Sequence, residues 1–194
     1  MYQIYLFTQQ ELLDETFLQK AKALLPKERR LRADRYRQAI DRKNCVLTYL
    51  ILQTALKDNF GLKELQIEYG TYGKPYVKDK TDIYFSISHC RLGCAVAVAD
   101  TPIGVDIQEI RGFSKDVANR VCSNRELAEL EVCKDKERTF IRMWTVKESY
   151  GKMKGTGILY DMKGVDTDII AKNKIVGIIE KEKYVVAVCL EVSY

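Results

Sequence analysis

The chain has 194 residues, of which 46% are hydrophobic and 30% are charged, as is ordinary for a globular protein with its own core. No apolar run approaches the roughly 18–20 residues that a membrane span needs, which excludes a transmembrane helix. The formal net charge is +5, and the excess lies in residues 26–43, "PKERRLRADRYRQAIDRK". Such a stretch is either a solvated helix face or a surface for an anionic partner.

The first half is predicted, in chain order, as a strand over 2–7, a helix over 10–25, a helix over 41–59 and a strand, glycine turn and extended piece over 65–77. Pro26 suits a helix start, and Gly61 ends the second helix. "YFSISHC" and "CAVAVAD" are predicted strands joined by a turn at Arg91–Gly93, and "IGVDIQEI" is a further strand after Pro102.

The second half repeats this order. Helices are predicted over 114–133 and 135–154, the latter ended by "GTG" at 155–157, before the strands "KIVGIIEK" and "YVVAVCLE". Each half ends in a hairpin, and "CAVAVAD" resembles "YVVAVCLE". We therefore predict an α+β protein of two similar halves, 1–101 and 102–194.

The amino terminus, "MYQIYLFTQQE", lacks the basic n-region and the small-residue cleavage site of a signal peptide. The six cysteines are scattered and form no CxxC pair, which indicates neither a zinc site nor a disulfide framework. We therefore expect free thiols in a reducing, cytoplasmic environment.

Two carboxylates are candidates for metal binding. Asp106 lies in an apolar strand and shares a face with Gln108, because side chains alternate along a strand. Glu148 lies on a predicted helix one turn after Trp144 and one turn before Lys152. Glu148 and Lys152 are either an exposed helical pair or part of a buried site that needs a lysine or a metal. With Asp106, Glu148 would form a site for a hard cation such as Mg²⁺.

Three further motifs have both a structural and a functional interpretation. His89 follows Ser88 at a strand end, where the two side chains either stabilise the strand or bind a phosphate. "YGKP" presents Lys74 on a turn, but no P-loop pattern occurs. "SNRE" fits a capping box, with Ser123 as the N-cap and Glu126 reaching back.

"GVDIQEI" and "WTVKESYGKMKG", preceded by "YGKP" and "FSISH", together resemble the 4′-phosphopantetheinyl transferases. The likeness is to the two-repeat monomeric class typified by the surfactin-synthetase-activating enzyme, and it extends from "LLPKERR" to "KGTGI". It implies that fold, with a pseudo-dimer of α/β halves and an active site between them. It also implies Mg²⁺, or Mn²⁺ in its place, coenzyme A as substrate, and an apo acyl or peptidyl carrier protein as partner, with no nucleic acid or membrane.

The resemblance also implies residue roles. The residues that match its motifs are Asp106 and Glu148 with Gln108 for the metal, Lys74, Ser88, His89, Lys147 and Lys152 for coenzyme A, and Glu148, Lys152 and Glu126 for catalysis. Either Glu148 or Glu126 would accept the proton of the carrier serine. The basic segment would hold the nucleotide phosphates through Arg42, Lys43, Arg30 or Asn44, with the choice left open.

One position departs from the family pattern. Many members read D-x-E at the metal strand, whereas this chain has Gln108 there. Glu109 points to the opposite face of the strand and cannot replace it unless a bulge intervenes. We therefore predict a site with two carboxylates that relies more on substrate phosphates for its remaining ligands.

Two other functions would use the same residue types. One is a Mg²⁺-dependent nuclease or nucleotidyltransferase, although the E-x-K pattern common in such sites is absent after Glu148. The other is a basic binding module that has lost catalysis, with Gln108 as the lesion.

Overall fold

The first half consists of a sheet, a short hairpin and a helical layer in the computed structural model, which describes residues 1–156 and 161–191. Its elements are β1 (Tyr2–Phe7), a 3₁₀ turn (Gln10–Leu12), α1 (Glu15–Ala23), α2 (Lys27–Asp34), α3 (Ala39–Phe60), β2 (Ile67–Tyr69), β3 (Pro75–Val77), β4 (Tyr84–Cys90) and β5 (Gly93–Ala99). The helix predicted over 10–25 is interrupted, because the Asp14 side chain accepts a hydrogen bond from the Phe17 N–H at 2.7 Å and starts α1 there.

The second half has the same alternation of strand, helices and hairpin. Its elements are β6 (Ile103–Glu109), α4 (Lys115–Val121), α5 (Asn124–Val132), α6 (Lys136–Lys154), α7 (Thr167–Asn173), β7 (Ile175–Glu180) and β8 (Tyr184–Leu190). The predicted capping box at Ser123 is confirmed, and it divides the segment 114–133 into α4 and α5. Helix α7 was not predicted from the sequence. Gly157, the last residue of the "GTG" segment predicted to end α6, lies outside the described residues.

The two halves share one sheet topology. The strand orders are β1-β5-β4 and β6-β8-β7, and all neighbouring strands are antiparallel. In each sheet the last strand of the half lies in the centre, so the similar segments "CAVAVAD" and "YVVAVCLE" occupy equivalent positions. The predicted mixture of helices and antiparallel strands is confirmed.

The strands β5, β6 and β8 form the centre of the molecule. Every residue of β5 is buried, because α3 covers one face and β6 lies on the other side. Helix α6 packs on β6 and β8, and β4 also contacts β6. The ends of β4 and β6 and the last turns of α6 therefore meet between the halves.

Gly104 allows α6 to approach β6 closely. A Cβ atom at this position would lie 1.9 Å from the Ser149 carbonyl oxygen and 2.5 Å from the Met153 nitrogen. Because both are backbone atoms of α6, no side chain could be accommodated without moving the helix. Among residues 1–156 and 161–191, no helix has both the length and the apolar character needed to cross a bilayer.

Candidate active site

The polar face of β6 carries Asp106 and Gln108, as the alternation predicts. Gln108 Nε2 donates a hydrogen bond to Asp106 Oδ2 at 2.9 Å. Glu109 points away from this pair and is bound by Arg91, whose Nη2 lies 2.5 Å from Glu109 Oε1. The strand contains no bulge here, since its pairing with β8 is continuous. Glu109 therefore does not replace the missing third carboxylate.

Asp106 is buried, with 1% of its surface exposed. Its Oδ1 accepts a hydrogen bond from Ser88 Oγ on β4 at 2.7 Å and lies 2.6 Å from Lys152 Nζ on α6. Lys152 Nζ also donates to Ser88 Oγ at 2.9 Å. Side chains from β4, β6 and α6, which belong to both halves, therefore converge on the Asp106 carboxylate. An aspartate on the exposed face of a strand would not require such partners.

Helix α6 holds Glu148 and Lys152 one turn apart. The helix starts where the Asp135 side chain accepts from the Arg138 N–H at 3.0 Å, and it ends at Gly155, whose φ of 72° is left-handed. Its apolar side chains pack on β6 and β8 and fix its rotation. This rotation directs Glu148 and Lys152 toward the space beside Asp106.

Glu148 is a half-buried carboxylate on α6. It accepts no hydrogen bond and forms no ion pair with the residues that the structure describes. Desolvation raises its pKa, the negative charge of Asp106 raises it further, and Lys152 opposes both effects. A half-buried carboxylate whose pKa is raised beside a second carboxylate is typical of a site for a cation.

The residues at this site fit Mg²⁺ only in part. Asp106 and Glu148 supply hard oxygen ligands, and Gln108 could supply an amide oxygen. Within the described residues, no group of three or more His, Cys, Asp or Glu side chains is arranged to hold a metal. A Mg²⁺ ion here would take its remaining ligands from water or from substrate phosphates.

A cavity of about 520 Å³ lies beside this carboxylate pair, between the halves. The first half contributes the turn Tyr72–Pro75 and Phe85–Ile87, and the second contributes Glu148, Lys152 and Gly155 among others. Lys74 reaches across the cavity wall and donates to the Met153 carbonyl at 2.8 Å. Burial lowers the pKa of Lys74 to about 8.

A smaller cavity of about 190 Å³ adjoins the first and shares Gly73, Pro75, Phe85 and Ile87 with it. Its lining is basic and aromatic and includes Arg29, Arg32, Tyr36, Tyr49 and His89. The guanidinium of Arg29 lies 4.7 Å from the centre of the Tyr49 ring. Desolvation lowers the pKa of His89, and the positive charge of Lys152 lowers it further.

The structure does not bring Glu126 and Lys147 to either cavity. Glu126 Oε2 lies 2.6 Å from Lys147 Nζ, and neither side chain is exposed. Glu126 also accepts hydrogen bonds from the backbone N–H groups of Ser123 and Thr167, while Lys147 donates to the carbonyls of Val121 and Met162. The predicted roles of Glu126 as base and Lys147 as coenzyme A ligand do not fit this geometry, because both side chains are fully engaged in the core.

The residues predicted in the basic segment lie mostly outside the two cavities. Arg42 donates to the carbonyls of Tyr36 and Arg37, and Lys43 donates to the carbonyl of Gln10, so both bind backbone rather than a cavity. Arg30 is exposed, whereas the predicted candidate Asn44 does line the smaller cavity.

Sequence reasoning missed Arg29 and Arg32, which face the smaller cavity from α2. The spacing of these two arginines along the helix is the feature of the sequence that indicates a shared face. Residues three apart share a helix face, and Pro26 marks the start of this helix.

Comparisons with known proteins identify the relatives of this chain. Residues 102–194 match the sequence model of the 4′-phosphopantetheinyl transferase superfamily. The chain is 31% identical over 140 residues to a 4′-phosphopantetheinyl transferase of Bacillus subtilis, with 70% of this chain and 62% of that protein covered. It is 30% identical over 149 residues to the 4′-phosphopantetheinyl transferase psf-1 of Bacillus pumilus, with 75% and 64% covered.

A third relative is the 4′-phosphopantetheinyl transferase Sfp of Bacillus subtilis (strain 168), with 30% identity over 136 residues and 68% and 60% coverage. The chain thus spans less than two thirds of the length of these relatives. The matched superfamily region contains Asp106, Glu148 and Lys152, the residues that converge beside the larger cavity. Residues 102–194 therefore belong to the 4′-phosphopantetheinyl transferase superfamily.

Proposed function

We propose that the protein transfers the 4′-phosphopantetheine arm of coenzyme A to a serine of an apo acyl or peptidyl carrier protein. The observation that carries this proposal is the convergence of Asp106, Lys152 and Glu148 beside a cavity between the halves. Five of the predicted residues line this cavity or contact Asp106, namely Lys74, Ser88, Gln108, Glu148 and Lys152. In this proposal the halves act as a pseudo-dimer within one monomeric chain.

The reaction is a phosphoryl-type transfer. The serine hydroxyl oxygen of the carrier forms a bond to the β-phosphorus of coenzyme A, and the bond from that phosphorus to the bridging oxygen breaks. Adenosine 3′,5′-bisphosphate leaves with the electron pair. Such reactions depend mainly on the positioning of substrates and the neutralisation of charge. Lys152, whose ammonium lies at the centre of the site, would neutralise the diphosphate.

Glu148 is the proposed base for the serine proton. Its carboxylate lines the larger cavity, and burial together with Asp106 raises its pKa and therefore its proton affinity. Glu126 is unsuitable because it is buried against Lys147.

The metal would be held by Asp106 and Glu148, with Gln108 as a neutral neighbour. A bound Mg²⁺ would supply neutralisation of the diphosphate charge and orientation of its oxygens.

The nucleotide end of coenzyme A would lie toward the smaller cavity. Arg29 and Arg32 offer guanidinium groups, and His89 lies at the same cavity with Lys152 nearby. Arginine binds phosphates through its planar set of donors, and tyrosine rings such as Tyr49 suit a base. The basic charge of the chain also complements an acidic carrier protein, which speeds the encounter.

The test is incubation of the protein with an apo carrier protein, coenzyme A and Mg²⁺, followed by intact-mass measurement of the carrier. The proposal expects a gain equal to the mass of the phosphopantetheine arm, and loss of that gain in Asp106→Asn and Glu148→Gln. Glu109→Gln serves as the matched control, because Glu109 lies on the opposite face of β6 against Arg91. If carrier proteins of every class keep their mass unchanged, the proposal is refuted. Tight DNA binding that weakens with salt would then favour the nuclease or binding-module alternative.

A further inference from the structure

Lys152 places its ammonium group directly against Asp106. Its ammonium lies 2.6 Å from Asp106 Oδ1 and 2.9 Å from Ser88 Oγ. The other carboxylate oxygen, Oδ2, accepts from Gln108 Nε2 at 2.9 Å. Each oxygen of Asp106 therefore already has a donor from the chain itself.

The charges at the site disfavour a divalent ion on its own. Asp106 and Glu148 carry two negative charges between them, and Lys152 cancels one of these. Gln108 adds no charge where a third carboxylate would. A dication would therefore enter a site with a single net negative charge and an ammonium group already bound to its best ligand.

A bound diphosphate would add negative charge to the site and would compete with Asp106 for the ammonium group of Lys152. Lys152 lines the larger cavity while its Nζ contacts Asp106, and 30% of its side chain is exposed. A diphosphate bound in the cavity would draw the ammonium away from Asp106 Oδ1 and would bring its own negative oxygens as metal ligands. Asp106 is then free to bind the metal.

We propose that Lys152 is an internal cation that blocks Asp106 in the substrate-free protein, so that a divalent ion binds tightly only together with the diphosphate of coenzyme A. This inference rests on the proposed function for the identity of the diphosphate. The ion and the diphosphate are then thermodynamically coupled, and each raises the affinity for the other by the same factor.

The first experiment measures Mn²⁺ binding by electron paramagnetic resonance in the absence of any diphosphate. The wild-type protein is compared with Lys152→Met, which removes the ammonium but keeps much of the side-chain volume. Lys154→Met is the matched control, because it removes the same charge from an exposed position two residues further along α6. We expect Lys152→Met to bind Mn²⁺ at least tenfold more tightly than both other proteins. Equal affinities for the wild type and Lys152→Met would overturn the inference.

The second experiment needs only the wild-type protein, so it stands even if Lys152→Met fails to fold. Calorimetry measures the affinity for coenzyme A in the presence of a chelator and in saturating Mg²⁺. We expect Mg²⁺ to raise the affinity at least tenfold, and an affinity independent of Mg²⁺ would contradict the coupling. If coenzyme A does not bind at all, the proposed function fails, whereas the comparison of Mn²⁺ binding still decides the role of Lys152.

Discussion

Glu126 and Lys147 form an ion pair at 2.6 Å in which neither side chain is exposed to solvent. The pair joins α5 to α6, and its backbone hydrogen bonds extend to the start of α7 and the end of α4. Lys147 directly precedes Glu148, so this contact helps to set the rotation of the helix that carries Glu148 and Lys152.

Removing one partner of this pair is expected to destabilise the fold. Glu126→Ala should lower the free energy of unfolding by about 3–5 kcal/mol, because it leaves the Lys147 ammonium buried without its counter-charge. Urea denaturation measures the loss. Glu129→Ala on the same helix, which removes only partly exposed pairs with Arg125 and Arg142, should cost about 1 kcal/mol or less. If Glu126→Ala were fully stable yet inactive, a catalytic role for Glu126 would be restored.

Gly104→Ala tests the close approach of α6 to β6. The added methyl group would overlap backbone atoms of Ser149 and Met153, so the helix must shift. We expect a loss of at least about 1–3 kcal/mol in stability together with a loss of transfer activity. Thermal unfolding and the mass assay measure the two effects. Gly70→Ala is the control, since its nearest contact would be an ordinary 3.7 Å to the Lys74 carbonyl oxygen.

Gln108→Glu is expected to change stability and metal affinity in opposite directions. The new carboxylate would lie against Asp106, where Gln108 now donates a hydrogen bond, and like charges repel. The melting temperature without metal should therefore fall, while the affinity for Mg²⁺ should rise roughly tenfold, equivalent to about 1.4 kcal/mol. Scanning calorimetry with and without Mg²⁺ checks both. An unchanged metal affinity would mean that residue 108 is remote from the ion.

Lys74 is expected to make the stability of the folded protein rise with pH. Burial lowers its pKa in the folded protein to about 8, whereas the unfolded chain holds the proton up to a pKa of about 10.4. The unfolded state therefore binds more protons between these values, and stability rises with pH across this window by up to about 3 kcal/mol from this group. Urea denaturation of wild type and Lys74→Met at pH 7.5 and 10 should show a gain with pH in the wild type that the variant lacks. An equal change in the free energy of unfolding between the two pH values in both proteins would contradict this assignment.

Arg29 and Arg32 are expected to bind the nucleotide end of coenzyme A. Loss of one charged donor to a phosphate costs about 1.5–3 kcal/mol, so Arg29→Ala and Arg32→Ala should each weaken coenzyme A binding roughly tenfold or more. Calorimetry measures the affinity. Arg30→Ala is the matched control, because Arg30 is an exposed neighbour on α2 that lines neither cavity. An equal effect of all three variants would indicate a general effect of charge rather than a binding pocket.

Most of the elements, and the face of β6 on which Asp106 and Gln108 lie, can be predicted from the amino-acid sequence. These features depend on local patterns: alternation along a strand, apolar spacing along α3 and α6, and glycine at Gly61 and Gly155, where φ is positive. The capping box at Ser123 depends on a local pattern as well, and it uses the side chain of Glu126.

Which charged side chains share a site depends on how the elements pack together. Glu126 and Lys147 are chemically as suitable as Glu148 and Lys152, but a helix rotation of one residue directs Lys147 into the core and Glu148 toward the cavity. Likewise, Arg42 and Lys43 bind backbone carbonyls while Arg29 and Arg32 face a cavity. The contact between Lys152 and Asp106 joins residues of two elements, so its geometry depends on how α6 packs across β6 at Gly104.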